Sequence, residues 1–110
     1  MSDADLLELD YLVIGYITED DIGYRYVPGG SVYYGSVTAL RLGLKASVVT
    51  SCDENFTIPK EMSGSNIEIV HSKATTRFLN EYQNQSGYSI RKQYVGNLAK
   101  EIRLEDVPLH

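Results

Sequence analysis

The chain has 110 residues, a net charge of −5 and one cysteine, which bounds it to a single domain with a modest core. Its Lys and Arg form no cluster, which argues against a nucleic-acid surface. The lone Cys52 excludes an internal disulfide and points to a reducing, cytoplasmic setting. No apolar run reaches membrane-spanning length, and the acidic first ten residues lack the basic region and apolar core of a signal peptide.

In chain order, residues 1–9 read as a loose lead-in. Tyr11 to Ile17 is a nearly continuous apolar run, the pattern of a strand buried on both faces of a parallel sheet. It ends in the polar Thr18-Glu19-Asp20-Asp21, and Ile22 to Val27 follows as a short extended excursion closed by Pro28. The stretch that organises the chain comes next, Pro28-Gly29-Gly30-Ser31 and then a helix to Gly43. The glycine pair offers positive φ and close approach of a ligand to the main chain before Ser31 starts the helix. Tyr33, Val37 and Leu40 recur at helical spacing beside a strip of small residues, Ser36, Ala39 and Gly43, that can press against a sheet. Gly43, after Arg41 and Leu42, is the expected C-terminal stop.

Lys45 to Thr50 reads as a second buried strand ending in Ser51-Cys52-Asp53-Glu54, so strand, helix and strand make a right-handed β-α-β unit. Such a unit brings its strand ends and its helix N-terminus to one rim, where ligands of open α/β sheets bind. The rim gathers Asp20, Asp21, Gly29, Gly30, Ser31, Asp53 and Glu54. Carboxylates accept hydrogen bonds from vicinal hydroxyls and free amides complement hydroxyl oxygens, so the set suits a polyhydroxyl ligand. Acids that simply follow strands in loops are the alternative.

Phe56 to Asn66, with Pro59 and Gly64, predicts a short or broken helix and loop, and Asn66 to Val70 a third strand. Thr75 to Tyr82 and Tyr88 to Val95 flank Gln83-Asn84-Gln85-Ser86-Gly87 as a hairpin. One stripe of the first arm carries Thr76, Phe78, Asn80 and Tyr82, and one of the second carries Tyr88, Ile90, Lys92 and Tyr94. Such mixed faces suit a cover over a ligand or pairing with another copy, since a lone hairpin is barely stable in water. Gly96 to His110 holds a short turn of helix after Glu105. The sequence has no G-x-x-x-x-G-K-[ST] phosphate loop and no dinucleotide fingerprint. His71 and His110 have no metal-ligand spacing, Ser31 and Ser36 have no evident base, and Cys52 reads as a packed thiol. No catalytic residue and no metal ligand is therefore assigned.

These pieces together resemble the N-terminal part of a PfkB-type carbohydrate kinase of the ribokinase family. They are L-V-I-G-Y-I-T-E-D, P-G-G-S-V-Y-Y-G-S-V-T-A-L-R-L-G, K-A-S-V-V-T-S-C-D-E and the arms T-T-R-F-L-N-E-Y and Y-S-I-R-K-Q-Y. The resemblance implies an α/β fold, the N-terminal portion of a ribokinase-like (Rossmann-like) three-layer sandwich with a small β lid. The chain is then one incomplete domain, 1–110, with lid segments at about 22–27 and 75–95. By position Asp20, five residues after Gly15, matches the aspartate that grips sugar hydroxyls, and Gly29 and Gly30 match the glycine pair beside the sugar. Thr76 and Phe78 fall on the lid. Tyr34 stands where the family has asparagine, which widens the expected acceptor from a free sugar to a cyclitol, a nucleoside or another polyol. The family's G-x-D after the second strand is here Ser51-Cys52-Asp53.

Family members continue into the nucleotide site and a G-A-G-D anion hole whose aspartate is the catalytic base, and that motif does not occur here. ATP and magnesium are expected of a complete member and neither of this chain alone. The expectation is a fragment that carries the acceptor side and the lid of a kinase for a small sugar, cyclitol or nucleoside and is inactive by itself. The alternative is a non-catalytic polyol-binding or self-associating module, including a homodimer through the β lid. Neither reading involves nucleic acid or membrane.

Overall fold

The computed structural model describes residues 10–85 and 87–107. The lead-in at 1–9 and His110 lie outside the described residues. The fold is built on β4 (Ala46–Cys52), in which all seven residues are buried. Its sequence, Ala-Ser-Val-Val-Thr-Ser-Cys, shows no polar alternation because both faces are covered. β4 pairs in parallel with β1 (Tyr11–Ile14) on one side and β5 (Asn66–His71) on the other.

Helix α1 (Ser31–Arg41) lies across β1 and β4 and buries Val32, Ser36, Val37 and Ala39. Val32, Ser36 and Ala39 follow i, i+4, i+7, and the two small residues let the helix approach the strands closely. Tyr33 and Leu40, which recur with Val37 at helical spacing, flank the buried stripe. Tyr33 packs at the margin of the core and donates to Glu61 Oε2 at 3.2 Å. Loss of water around the ring, with Glu61 beside it, raises its pKa above the usual phenol value. The helix ends as predicted: Gly43 has φ 77°, and its N–H donates to Leu40 O at 3.0 Å. The core joins Val32 and Val37 of the helix to Ile17, Val48, Cys52 and Met62. Each such fully buried side chain contributes about 1.5–3 kcal/mol. Met62 comes from a single turn of 3-10 helix at Lys60–Met62, the broken helix predicted for that stretch.

The first strand is shorter and more exposed than its composition predicts. It stops at Ile14, and both Tyr11 and Ile14 are exposed, β1 having a neighbouring strand on one side only among the described residues. Beyond Gly15 the chain leaves the sheet, with the Ile17 N–H donating to the buried Thr50 Oγ1 at 2.9 Å. The other face of β4 carries Ser47 and Ser51, fully buried hydroxyls without a hydrogen-bond partner among the described residues.

Thr18-Glu19-Asp20-Asp21 is not an acidic loop at a strand end but a strand, β2 (Thr18–Asp21). β2 forms a hairpin with β3 (Tyr26–Gly29), and the turn is held by Gly23 N–H donating to Asp21 Oδ1 at 2.8 Å. β2 also pairs in parallel with β6 (Thr76–Gln85), and β6 pairs antiparallel with β7 (Tyr88–Asn97), giving a second sheet of order β3-β2-β6-β7. The expected five-residue hairpin loop is tighter: Gln85 pairs with Tyr88, leaving residues 86–87 between the strands, with Gly87 at φ 83°. The register puts Phe78 opposite Val95 and Leu79 opposite Tyr94. Ile90, Lys92 and Tyr94 therefore lie on the face opposite Phe78 and Asn80, since paired residues share a face. Of the three layers expected, the described residues form two, a sheet and one helix, with the lid sheet beside them. No helix among them is long and apolar enough to cross a membrane.

Candidate functional site

The two sheets are clasped where β4 ends and β6 begins. Asp53 Oδ2 accepts from Thr75 Oγ1 at 2.9 Å, and the Asp53 N–H donates back to Thr75 Oγ1 at 3.1 Å. Asp53 Oδ1 accepts the Asn55 N–H at 2.8 Å. This carboxylate fixes the lid to the core and turns the following loop. Cys52, beside it in the core, has its thiol pushed above the usual pKa, first by burial and then by the Asp53 charge. It remains a protonated, packed thiol.

Between the sheets lies a cavity of about 500 Å³, lined by residues of four segments. Gly15 and Tyr16 come from the end of β1, Gly30 and Ser31 from the start of α1, and Thr18, Thr76 and Phe78 from the lid. Leu98, Ala99 and Glu101 come from the stretch after β7. Gly30 sits at φ 89° directly before the helix, where a side chain would also strike the Tyr16 carbonyl oxygen. No side chain among the described residues caps this helix start, whose Gly30 and Ser31 form part of the cavity wall.

The stretch from Leu98 to Ile102 is a strap tied down by three side-chain oxygens. Ala99 N–H donates to Thr76 Oγ1 at 3.0 Å, Lys100 N–H to Ser72 Oγ at 2.8 Å, and Ile102 N–H to Tyr16 Oη at 2.9 Å. Sequence reasoning missed it because these bonds use backbone donors of an irregular segment. The only local signal was three oxygen-bearing side chains at or just beyond strand ends, at Tyr16, Ser72 and Thr76.

Of the residues singled out from sequence, Gly30, Thr76 and Phe78 meet in this cavity. Asp20 and Gly29 sit together just behind Thr18. Asp20 Oδ1 accepts from Thr18 Oγ1 at 2.8 Å, and a Cβ on Gly29 would collide with Asp20 Oδ2 and lie 2.7 Å from Thr18 Oγ1. Gly29 has no positive φ among the described glycines; its missing side chain makes room for the Asp20 carboxylate and the Thr18 hydroxyl. Tyr34 is 60 % exposed on the outer side of α1, edge-on to Tyr33 at 5.1 Å, and lines a separate groove with Tyr11, Gly35 and Leu42.

Behind the lid a second groove of about 470 Å³ is bounded by Glu19, Tyr26, Pro28, Phe56, Lys60 and Glu61. Two of its acids are engaged. Glu19 pairs with Arg77 at 2.7 Å, which stacks over Tyr26 at 4.5 Å, and Glu61 accepts from Tyr33. The Glu19 hydrogen bond holds the Arg77 pKa above its ordinary value. With both of its acids engaged, this groove is the weaker candidate.

A parallel α/β sheet with a four-stranded lid over the start of its first helix defines a ribokinase-like α/β fold. The structure of a pyrophosphate-dependent kinase in the ribokinase family, complexed with a pyrophosphate analog and myo-inositol, superposes with a TM-score of 0.66 at 21 % identity, over 87 % of this chain and 35 % of that one. A sulfate complex of a pyrophosphate-dependent kinase in the same family gives 0.69 at 22 %, over 87 % of this chain and 36 % of that one. A pyrophosphate-dependent myo-inositol-1 kinase converted by two substitutions into a myo-inositol-3 kinase gives 0.67 at 23 %, over 87 % and 33 %. The chain thus spans about a third of the length of these structures, which fits an N-terminal part of the fold. The sequence matches no family model and no curated protein.

Proposed function

We propose that the cavity binds a small polyhydroxyl compound, a cyclitol ahead of a free sugar or nucleoside, as the acceptor side of a ribokinase-like phosphoryl transfer to a hydroxyl group. The observation that carries this is the lining itself. Thr18, Ser31, Thr76 and Glu101 offer hydroxyl and carboxylate oxygens on some walls, and Phe78, Leu98 and Ala99 offer an apolar wall. A ring polyol presents hydroxyls to the first set and a C–H face to the second. Asp20 acts one step back, holding the Thr18 hydroxyl. The cyclitol is placed first because a fold neighbour binds myo-inositol.

The donor, ATP by the family resemblance and pyrophosphate in the fold neighbours, would be held by residues outside this set. Among the described residues no group of three His, Cys, Asp or Glu converges to hold a metal ion. The chain's own part is to bind the acceptor, orient it and cover it. The G-A-G-D base that the family resemblance implies would likewise come from outside these residues. A second reading, a non-catalytic module that self-associates through the lid, draws on the exposed Tyr82, Tyr94 and Val95.

Calorimetric titration with myo-inositol, ribose and adenosine tests the acceptor reading. Saturable binding is expected for myo-inositol. Glu101→Gln should weaken it by about 1.5–3 kcal/mol, the worth of a hydrogen bond to a charged acceptor, and Asp20→Asn, which acts through the Thr18 hydroxyl, by less. Absence of saturable binding to any of the three, or binding indifferent to both substitutions, overturns it.

A further inference from the structure

Thr18 and Thr76 sit side by side on the inner face of the lid, paired across the parallel β2–β6 ladder, and both line the cavity. The spacing of neighbouring strands sets them about 5 Å apart. Both residues are almost wholly buried, at 4 % and 5 % exposure. What each hydroxyl does with its one proton and its lone pairs is therefore settled inside the protein. The two are settled in opposite senses.

Thr18 Oγ1 donates to Asp20 Oδ1 at 2.8 Å. A carboxylate only accepts, so the Thr18 proton is committed to Asp20 and the hydroxyl has lone pairs alone to offer the cavity. Gly29, the β3 partner of Thr18, makes room for this arrangement: a Cβ there would lie 2.7 Å from Thr18 Oγ1 and strike Asp20. Thr76 Oγ1 is committed the other way. It accepts the Ala99 N–H of the strap at 3.0 Å, and its own proton has no acceptor among the described residues. Thr76 therefore has a proton to give where Thr18 has only lone pairs.

We propose that Thr18 and Thr76 form a fixed acceptor–donor pair that reads two adjacent oxygens of the ligand, one a free hydroxyl and the other any acceptor oxygen. The free hydroxyl donates to Thr18, and its neighbour accepts from Thr76. The pair selects a vicinal diol, or its monoether, over an isolated hydroxyl and over a vicinal diether. Phe78, two residues on from Thr76 and so on the same face of β6, lines the cavity as the apolar contact for the ring that carries the two oxygens. The inference rests on the polyol reading and narrows it. Asp20 and the Ala99 amide shape recognition by fixing the sense of one threonine each.

Amide-shift titrations of the isotopically labelled full chain test it, with myo-inositol, the cis vicinal cyclohexanediol, its monomethyl ether and its dimethyl ether as probes. The diol and the monomethyl ether should bind within about threefold of each other, and the dimethyl ether about tenfold or more weaker, the loss of one hydrogen bond. Thr18→Val should erase the diol's advantage over the dimethyl ether, a change that mere loosening of the lid would not produce. Thr76→Val should weaken diol and monoether alike, keep the diol's advantage over the dimethyl ether, and speed amide exchange at Ala99. Suppose myo-inositol binds saturably but the diol does not, or the diol and the dimethyl ether bind equally, or the monomethyl ether is as weak as the dimethyl ether. Any of these overturns the inference and leaves the polyol reading standing. No saturable binding of myo-inositol overturns that reading and this inference with it.

Discussion

The core sheet and the lid sheet are made of similar residues and hold together for different reasons. In β4 every residue is buried, and Ile17, Val32, Val48 and Met62 are fully excluded from water. In β7 the described side chains from Ser89 to Asn97 are all exposed. The lid therefore owes its shape to its backbone ladder, the Thr75–Asp53 clasp, the Glu19–Arg77 pair and the Asn80–Gln93 amide contact at 3.0 Å. Hydrophobic burial fixes the core, whereas directional contacts fix the lid.

The contrast breaks most visibly at the centre of the core. Met62→Ala should cost about 2–5 kcal/mol, the range for deleting a fully buried Met side chain. Tyr94→Ala, at a lid position 48 % exposed, should stay within about 0.5 kcal/mol. Chemical denaturation of the two variants reads both numbers, and equal losses would dissolve the distinction.

Gly30→Ala comes next, because it strikes the joint between the regions. A side chain there must accept φ 89° and clear the Tyr16 carbonyl. The expected cost is about 1–3 kcal/mol for a residue held in a sparsely populated backbone region, accompanied by loss of polyol binding in calorimetry. Smaller still is Tyr16→Phe, which removes the acceptor of the Ile102 N–H. About 0.5–1.5 kcal/mol should be lost, with faster amide exchange confined to the strap near Ile102. Faster exchange spread over β4 instead would show that Tyr16 supports the core rather than the strap.

The smallest effect is a pH slope. The folded Cys52 thiol titrates above its ordinary value because it is buried beside Asp53. Below the unfolded thiol's pKa its contribution is fully present. As pH rises from there toward the folded pKa, the unfolded chain ionises first and stability falls. Cys52→Ala should flatten the decline above about pH 9, read as the melting temperature against pH. An unaltered slope would assign the decline to other groups, Tyr33 among them.

Legibility in the sequence follows the same division. The runs around Val48 and the helix from Ser31 to its stop at Gly43 were readable because burial on fixed faces leaves a pattern. The two-sided burial expected of Tyr11 to Ile17 is not met among the described residues, where β1 has a strand on one side only and its composition does not announce its neighbours. Thr18 to Asp21 looked like loop because its carboxylates are satisfied by Thr18, by the Gly23 amide and by Arg77 across the sheet, partners that no local pattern announces. Glu19, which alternation alone presents as an idle neighbour of Asp20, holds Arg77 and with it the outer lid. The glycine pair was recognised, yet its two members serve different ends: Gly30 supplies the backbone angle and Gly29 the space for Asp20. Tyr34 was drawn into the site by its position in the motif, and the turn of the helix carries it to the outer groove.

The central claim is that the helix start, the inner lid face and the strap form one acceptor site. Titrating the isotopically labelled chain with myo-inositol and following each backbone amide tests it most directly. The account predicts saturable shifts at Ser31, Thr76, Phe78, Ala99 and Glu101, with Tyr34, Leu42 and Lys60 unmoved. Shifts centred on the Tyr34 groove or the Lys60 groove, or no saturable shift at all, would contradict it.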